Sequence, residues 1–402
     1  MGQLQIQRRW QVPGKWCILS YYTTTPEAPD GSGRILLAGC DLTTRIGAVY
    51  VLGPDGKVQQ EFGHHPVESS FFHTGFWQTW SPDCRYVYYQ GGSLTQPQVI
   101  RHELATGTEV AIDGDFEGAP PDGEPVLGCL LGMLYAAGYG YMKYNPALAP
   151  VPFEARDKHG VFEYDFATRT RKLRLSVQDF LDMHPEKDRL LELDRELARK
   201  NGTPQGLTLM TYCIRWSPDG SRMMIHFGNH CVVKERGEPK VTMIYTCKHD
   251  FTDLHLALDL HGGGVHWSFQ PDNKKLIGYR VFEQGQQPPL AEVNYDGTGL
   301  KRLHLTTRWG GHPSVSPLDP ALDVTDDYGS GSIEFWRKTD GKLLAIDYFG
   351  NSVPNKPQGC FRNEYRVCHH PVFSRDGRRL HFNVLEDGLA YVAEMAVPEF
   401  RE

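Results

Sequence analysis

Trp80-Ser81-Pro82-Asp83, Trp216-Ser217-Pro218-Asp219-Gly220, Gln270-Pro271-Asp272-Asn273, Val315-Ser316-Pro317 and Phe373-Ser374-Arg375-Asp376-Gly377 are returns of one short phrase. Each is followed by an apolar or alternating run, such as Tyr86-Val87-Tyr88-Tyr89, Met223-Met224-Ile225, Lys275-Leu276-Ile277 or Arg379-Leu380-His381-Phe382. The phrase has the chemistry of a hairpin turn. Proline presets φ, glycine or asparagine accepts φ > 0, and the flanking runs pair as antiparallel strands. Counted from Pro82, Pro218, Pro271, Pro317 and Arg375, the steps are 136, 53, 46 and 58 residues. A four-stranded propeller blade repeats about every 40–50 residues, so each later step is one blade with loop insertions, and the first covers about three.

Outer hairpins fall between the markers, at Gly53-Pro54-Asp55-Gly56, Ala105-Thr106-Gly107, Tyr295-Asp296-Gly297 and Thr339-Asp340-Gly341. The fold expected is therefore all-β: a seven-bladed β-propeller, one domain over 1–402. Its blades lie near 15–63, 64–115, 116–175, 207–260, 261–308, 309–352 and 353–398. Propellers often close with strands from both termini, which leaves the last boundary open. One helical insertion, 176–202, interrupts the pattern, with Leu190, Leu193 and Leu197 at helical spacing. Ser176 with Asp179 forms its N-cap, Asn201-Gly202 its stop, and Pro185 splits it into two short helices. It either covers one face of the disc, as a rim of a substrate cleft, or packs on the propeller's side.

Composition agrees with this class. Hydrophobic residues make up 40% and charged residues 23%, enough to bury a core, and the 42 glycines and 27 prolines suit many short strands and tight turns. The formal net charge is −7 and no Lys/Arg run occurs, so nucleic acid is not an expected partner. No stretch reaches the length of a membrane span or of a signal-peptide core, so no membrane association is expected. Nine cysteines without a CxxC spacing read as reduced thiols, and the expected location is cytoplasmic.

Three histidines share one register. His266 lies five residues before Pro271, His312 five before Pro317 and His370 five before Arg375. Blade 4 has Cys213 at this position and blade 2 has Trp77. Residues there begin the innermost strand, which lines the central channel, so equal register in consecutive blades brings the imidazoles together. Such a ring suits Zn²⁺ or Mn²⁺. Strand alternation favours Cys368 over His369 as an added ligand beside His370.

Other residues carry possible chemistry. Arg156, Arg215, Arg280, Arg308 and Arg366 are able to grip a carboxylate in bidentate fashion. Tyr139 and Tyr141 can serve as acid or base where an arginine lowers their pKa. His73, within Phe71-Phe72-His73-Thr74-Gly75-Phe76-Trp77, reads as packing or as a ring stacked on a sugar, and His64-His65 reads as a loop. The absence of G-x-S-x-G, Walker A, Rossmann and H-E-x-x-H patterns argues against serine hydrolases, nucleotide enzymes and zincins.

In the phrases Val265-His266-Trp267-Ser268-Phe269-Gln270-Pro271-Asp272, Gly311-His312-Pro313-Ser314 and His369-His370-Pro371-Val372-Phe373, the chain resembles the TolB-like propellers. Within them it resembles the oligogalacturonate lyase family, whose histidines also stand five before the turn. The resemblance covers mainly residues 205–398. It implies β-elimination at a uronate residue of an acidic oligosaccharide, with a divalent cation, Mn²⁺ in the family, and an arginine acidifying the C5 proton. The family's metal ligands match His266 and His370, together with a histidine where this chain has Cys368 and a glutamine near Tyr365. The family's proposed base falls at Cys213. A thiolate at Cys368 would suit Zn²⁺ better than Mn²⁺. Arg215 or Arg366 is left for the carboxylate and the base is unassigned. Related propellers act on ulvan or on rhamnose–glucuronate linkages with residues of other blades, a role open to Tyr139, Tyr141 and Arg156. Two other readings compete with the lyase: a non-catalytic TolB-like binding or scaffold propeller, and a glycoside hydrolase acting on rhamnose–glucuronate linkages.

Overall fold

The hairpin turns are built around a buried serine hydroxyl. Ser217 Oγ accepts the Arg222 N–H at 3.0 Å and donates to Asp219 Oδ1 at 2.7 Å, which in turn accepts the Ser221 N–H at 3.0 Å. Ser81 repeats this with Tyr86 and Asp83 at 2.8 and 2.6 Å, and Ser374 with Arg379 and Asp376 at 2.9 and 2.6 Å. The fourth residue of the turn takes positive φ: Gly220 at 74°, Gly377 at 68°, Asn273 at 58°, and Cys84 at 55° in blade 2.

The structure is a computed structural model that describes residues 4–67, 71–93, 95–129, 151–229, 237–260, 263–307, 310–327, 329–351 and 366–400. Seven antiparallel sheets form the blades of a propeller, six of four strands and one of three among the described residues. Their innermost strands include Trp16–Ile18 in blade 1, Thr79–Trp80 in blade 2, Met210–Trp216 in blade 4, Gly264–Phe269 in blade 5, Ser314–Val315 in blade 6 and Val372–Phe373 in blade 7. The N-terminal strand Arg8–Trp10 completes blade 7, with Arg8 opposite Glu394 and Trp10 opposite Val392. Both termini thus share the closing blade.

Blade 3 accounts for the long first step. A Cβ on Gly220 would lie 2.5 Å from the Asp122 carboxyl, and one on Gly123 would lie 3.4 Å from Pro82. Pro121-Asp122-Gly123 therefore occupies the turn position between those of blades 2 and 4. That step spans two blades and the helical insertion, a correction to the three read from spacing. In blade 1 the same part is played by Pro29-Asp30-Gly31. Its innermost strand is broken: Ile18 pairs with Ala38, while Pro26 O already accepts the Leu36 N–H at 2.9 Å. Residues 19–25 consequently leave the sheet and enter the channel.

Strand pairing slips at the register five before the turn in blades 4 and 5. In blade 5, Val265 pairs with Tyr279 and Ser268 with Ile277, so His266 and Trp267 share one opposing residue, Gly278. A Cβ there would lie 2.5 Å from the Trp267 ring, which leaves room only for glycine. The residue at this register is left-handed in three blades: Trp77 at φ 55°, His266 at 57° and His370 at 50°. A non-glycine residue in this region is uncommon and carries strain.

The insertion forms two helices, Val177–Asp182 and Lys187–Asn201. The first has a full capping box between Ser176 and Asp179, and the second ends on left-handed Gly202. Phe180 stacks on Phe227 and contacts Tyr245 at ring-centroid distances of 5.7 and 5.1 Å, so the helices pack against blade 4. Among the described residues no helix is long and apolar enough to cross a membrane.

Candidate functional site

Four imidazoles meet at the channel end where the innermost strands begin. Left-handed backbone aims His266 and His370, and the blade 6 backbone supplies His312 between them. Ring centroids lie 4.1 Å apart for His266–His312 and 4.2 Å for His312–His370. The fourth ring is His73, on the one-turn helix Phe71–Thr74, 4.8 Å from His370. Its helix is anchored by Phe71 and Phe72, both fully buried, with Phe72 edge-on to Trp16 at 5.5 Å. One donor nitrogen from each of His73, His312 and His370 falls within 4.8 Å of the others. His266 and Cys368 stand outside that trio.

Hydrogen bonds fix the tautomers. His312 Nδ1 lies 2.8 Å from Asp326 Oδ1, and the same oxygen accepts the His312 N–H at 2.7 Å. Asp326 Oδ2 accepts the His370 N–H at 3.1 Å, so one carboxylate holds histidines of two blades. Burial opposes ionisation of Asp326, but the charge and hydrogen bonding of His312 outweigh it and hold the carboxyl well below its usual range. Asp326 takes up His312 Nδ1 and leaves Nε2 buried without a hydrogen-bond partner. His266 Nδ1 donates to Gly311 O at 2.7 Å, which likewise leaves Nε2 as its basic nitrogen. His369 turns away, donating from Nδ1 to Asn383 O at 2.5 Å and lying against Phe349 and Phe382.

Four nitrogens of the trio are buried without a partner: His312 Nε2, both ring nitrogens of His370 and His73 Nδ1. Each such group costs about 1–3 kcal/mol when unsatisfied. Burial first, and then the neighbouring His312, pushes His73 down to about 3 and both His266 and His370 far below the ordinary imidazole value. These three rings are therefore neutral lone-pair donors at neutral pH. Neutral imidazoles with unused buried nitrogens fit a divalent transition metal.

Below the imidazoles lies a layer of phenols. Tyr21 contacts His370 and His312 at 4.6 and 5.5 Å, and Tyr22 contacts His312 at 5.2 Å. Both come from the excursion 19–25. Beneath them Arg215 donates to Glu117 Oε1 at 2.7 Å, Tyr22 Oη at 2.9 Å and Trp267 O at 2.5 Å, all buried. The channel is thus stacked as imidazole, phenol and ion pair.

No family model matches the chain, and no curated protein matches it. Solved structures do. An oligogalacturonate lyase in complex with manganese aligns with a TM-score of 0.61 at 16% identity, covering 97% of this chain and 93% of that one. The oligogalacturonate lyase of Vibrio parahaemolyticus gives 0.60 at 13%, covering 98% and 94%. Hydrazine synthase of Kuenenia stuttgartiensis gives 0.52 at 12%, covering 99% and 100%. The likeness is one of fold. It establishes the propeller, and it includes structures of unrelated chemistry.

The other residues singled out in the sequence are dispersed. Arg156 pairs with Asp194 of the second helix at 2.7 Å and tethers the insertion. Arg366 donates to Gly329 O at 3.4 Å, and Arg280 to Asp259 O at 3.2 Å. Arg215 is spent on Glu117, with Cys213 Sγ 3.9 Å from its Nη2. His64 and His65 lie in the strand Val58–Pro66 rather than a loop. Tyr139, Tyr141, Arg308 and Tyr365 fall outside the described residues. Sequence reasoning passed over His73 as packing, because it stands nine residues before Pro82, outside the shared register. Tyr21 and Tyr22 had no signal beyond their proximity to Pro29-Asp30-Gly31.

Proposed function

We propose that the protein is a metal-dependent lyase that cleaves uronate-containing oligosaccharides by β-elimination. The observation that carries this reading is the trio His73, His312 and His370, neutral or tautomer-fixed imidazoles with unpartnered buried nitrogens. Its support is the fold shared with an oligogalacturonate lyase described with manganese. Three nitrogen ligands with open positions suit Zn²⁺ better than Mn²⁺. A bound divalent cation would polarise the uronate carboxylate and acidify the proton beside it.

The chain's own residues divide the remaining work. Asp326 orients His312 through Nδ1 and His370 through its backbone. Tyr21, whose phenol burial keeps well above its ordinary pKa, closes the floor beneath the rings. His266, kept out of the trio and protonated on Nδ1, offers Nε2 as a hydrogen-bond acceptor that orients the substrate beside the trio. The resemblance implied His266 as a ligand; in this proposal that part goes to His73.

Incubation with oligogalacturonate, ulvan and rhamnoglucuronan fragments tests the reading through the ultraviolet absorbance of the conjugated C4–C5 double bond. Product should form on at least one of them. His73→Ala should lose both metal and product, whereas His266→Ala should keep metal and lose product. A metal-loaded protein inert on every uronate would make the site structural and the protein a binding propeller.

A further inference from the structure

On the far side of the tyrosine layer the channel opens into a second cavity of about 360 Å³. Small-molecule sites span about 300–1,000 Å³, so it has room for a ligand of one or two rings. Its rim carries the turn residue of every blade: six prolines and, from blade 7, Arg375. The arginine breaks an otherwise uncharged ring.

Arg375 is held but not neutralised. Its Nε donates to Glu27 O at 3.2 Å, and its backbone N–H donates to Glu27 Oε2 at 3.1 Å. Neither terminal guanidinium nitrogen has a hydrogen-bond partner among the described residues. The Glu27 carboxylate is already shared with Arg379 at 2.8 Å and His381 at 3.1 Å. At the floor of the cavity Arg215 and Glu117 cancel one another. The chamber therefore holds one cation in excess, presented by a planar fork that matches a carboxylate.

The wall between floor and rim is mixed. Thr23, Thr24 and Ser314 bring hydroxyls, while Trp80, Phe269 and Phe373 bring apolar faces. A ligand that meets both needs a ring with one apolar face and hydroxyls at its edge. We propose that this mouth is a second small-molecule site, taking a singly charged carboxylate on a hydroxylated ring, of which a free uronic acid is the simplest case. The site is separate from the histidines and does not depend on a metal.

Titration calorimetry on the full chain tests it, with galacturonate as the probe and galactose and inorganic phosphate as controls. Galacturonate should bind at least ten-fold more tightly than either control. Arg375→Gln should remove the preference for the acid over galactose, and Ser314→Phe, which fills the cavity, should abolish binding. His370→Ala, at the other chamber, should leave the affinity unchanged, and thermal melts confirm that each variant is folded. The proposal fails if the wild type does not bind, if phosphate binds as well, or if Arg375→Gln keeps the preference. It also fails if His370→Ala abolishes binding, because the acid would then sit among the imidazoles.

Discussion

In His312 the ring nitrogen Nδ1 is committed to Asp326, and the backbone N–H of His370 is committed to the same carboxylate. An asparagine there keeps the shape but offers one acceptor instead of two and lacks the charge. Asp326→Asn should lower Zn²⁺ affinity by roughly 10–100-fold, the usual cost of losing such a partner, measured by competition with a chromophoric chelator. Unchanged affinity would show that the histidines hold their positions unaided. At this scale the sequence was partly legible. The interval from His266, His312 and His370 to their turns is short and rigid, so counting residues located them at equal depth. His73 rides on a one-turn helix, and no interval in the sequence reports where such a helix points.

Strands and turns were legible wherever the turn was regular. The serine-proline-aspartate phrase works because one hydroxyl both accepts from and donates within the turn, and Ser217 is fully buried as it does so. Ser217→Ala leaves the Arg222 N–H without its acceptor and should cost about 1–3 kcal/mol, read by chemical denaturation. Ser176→Ala, which removes the capping box, should cost about 1 kcal/mol. The proposed activity should survive it, because Phe180 packs on blade 4 and the trio takes no residue from the insertion. Activity lost with the cap would instead make the insertion part of the cleft. The turns of blades 1 and 3 were present as Pro29-Asp30-Gly31 and Pro121-Asp122-Gly123. They escaped notice because Ala28 and Pro120 stand where the other turns have serine or glutamine.

Across the whole molecule, stability depends on the seam between blade 1 and blade 7. Burial alone would raise the Glu27 pKa, but hydrogen bonds from His381 and the Arg375 backbone, with the charge of Arg379, bring it below the ordinary value. A carboxyl depressed in the folded state contributes stability that is present above its unfolded pKa, about 4.3, and is lost as pH falls through the folded value. The wild type should therefore lose melting temperature on acidification below about pH 4.3 more steeply than Glu27→Gln, which is already weakened at neutral pH. Parallel curves for the two would show that the seam is indifferent to this charge. Deleting residues 1–10 should lower the melting temperature further, since it removes the strand that pairs with 392–394. The seven-fold architecture was legible because it repeats. The plug in the channel was not, because it occurs once.

That closing strand also sets a timetable. Arg8–Trp10 leaves the ribosome long before its partner near Glu394. Until the strand around Glu394 is made, the ring has a gap beside the segment that carries Tyr21 and Tyr22. Contacts so distant in sequence form late. A nascent chain therefore has no assembled trio with which to capture an ion, and any metal must be taken up by the finished protein.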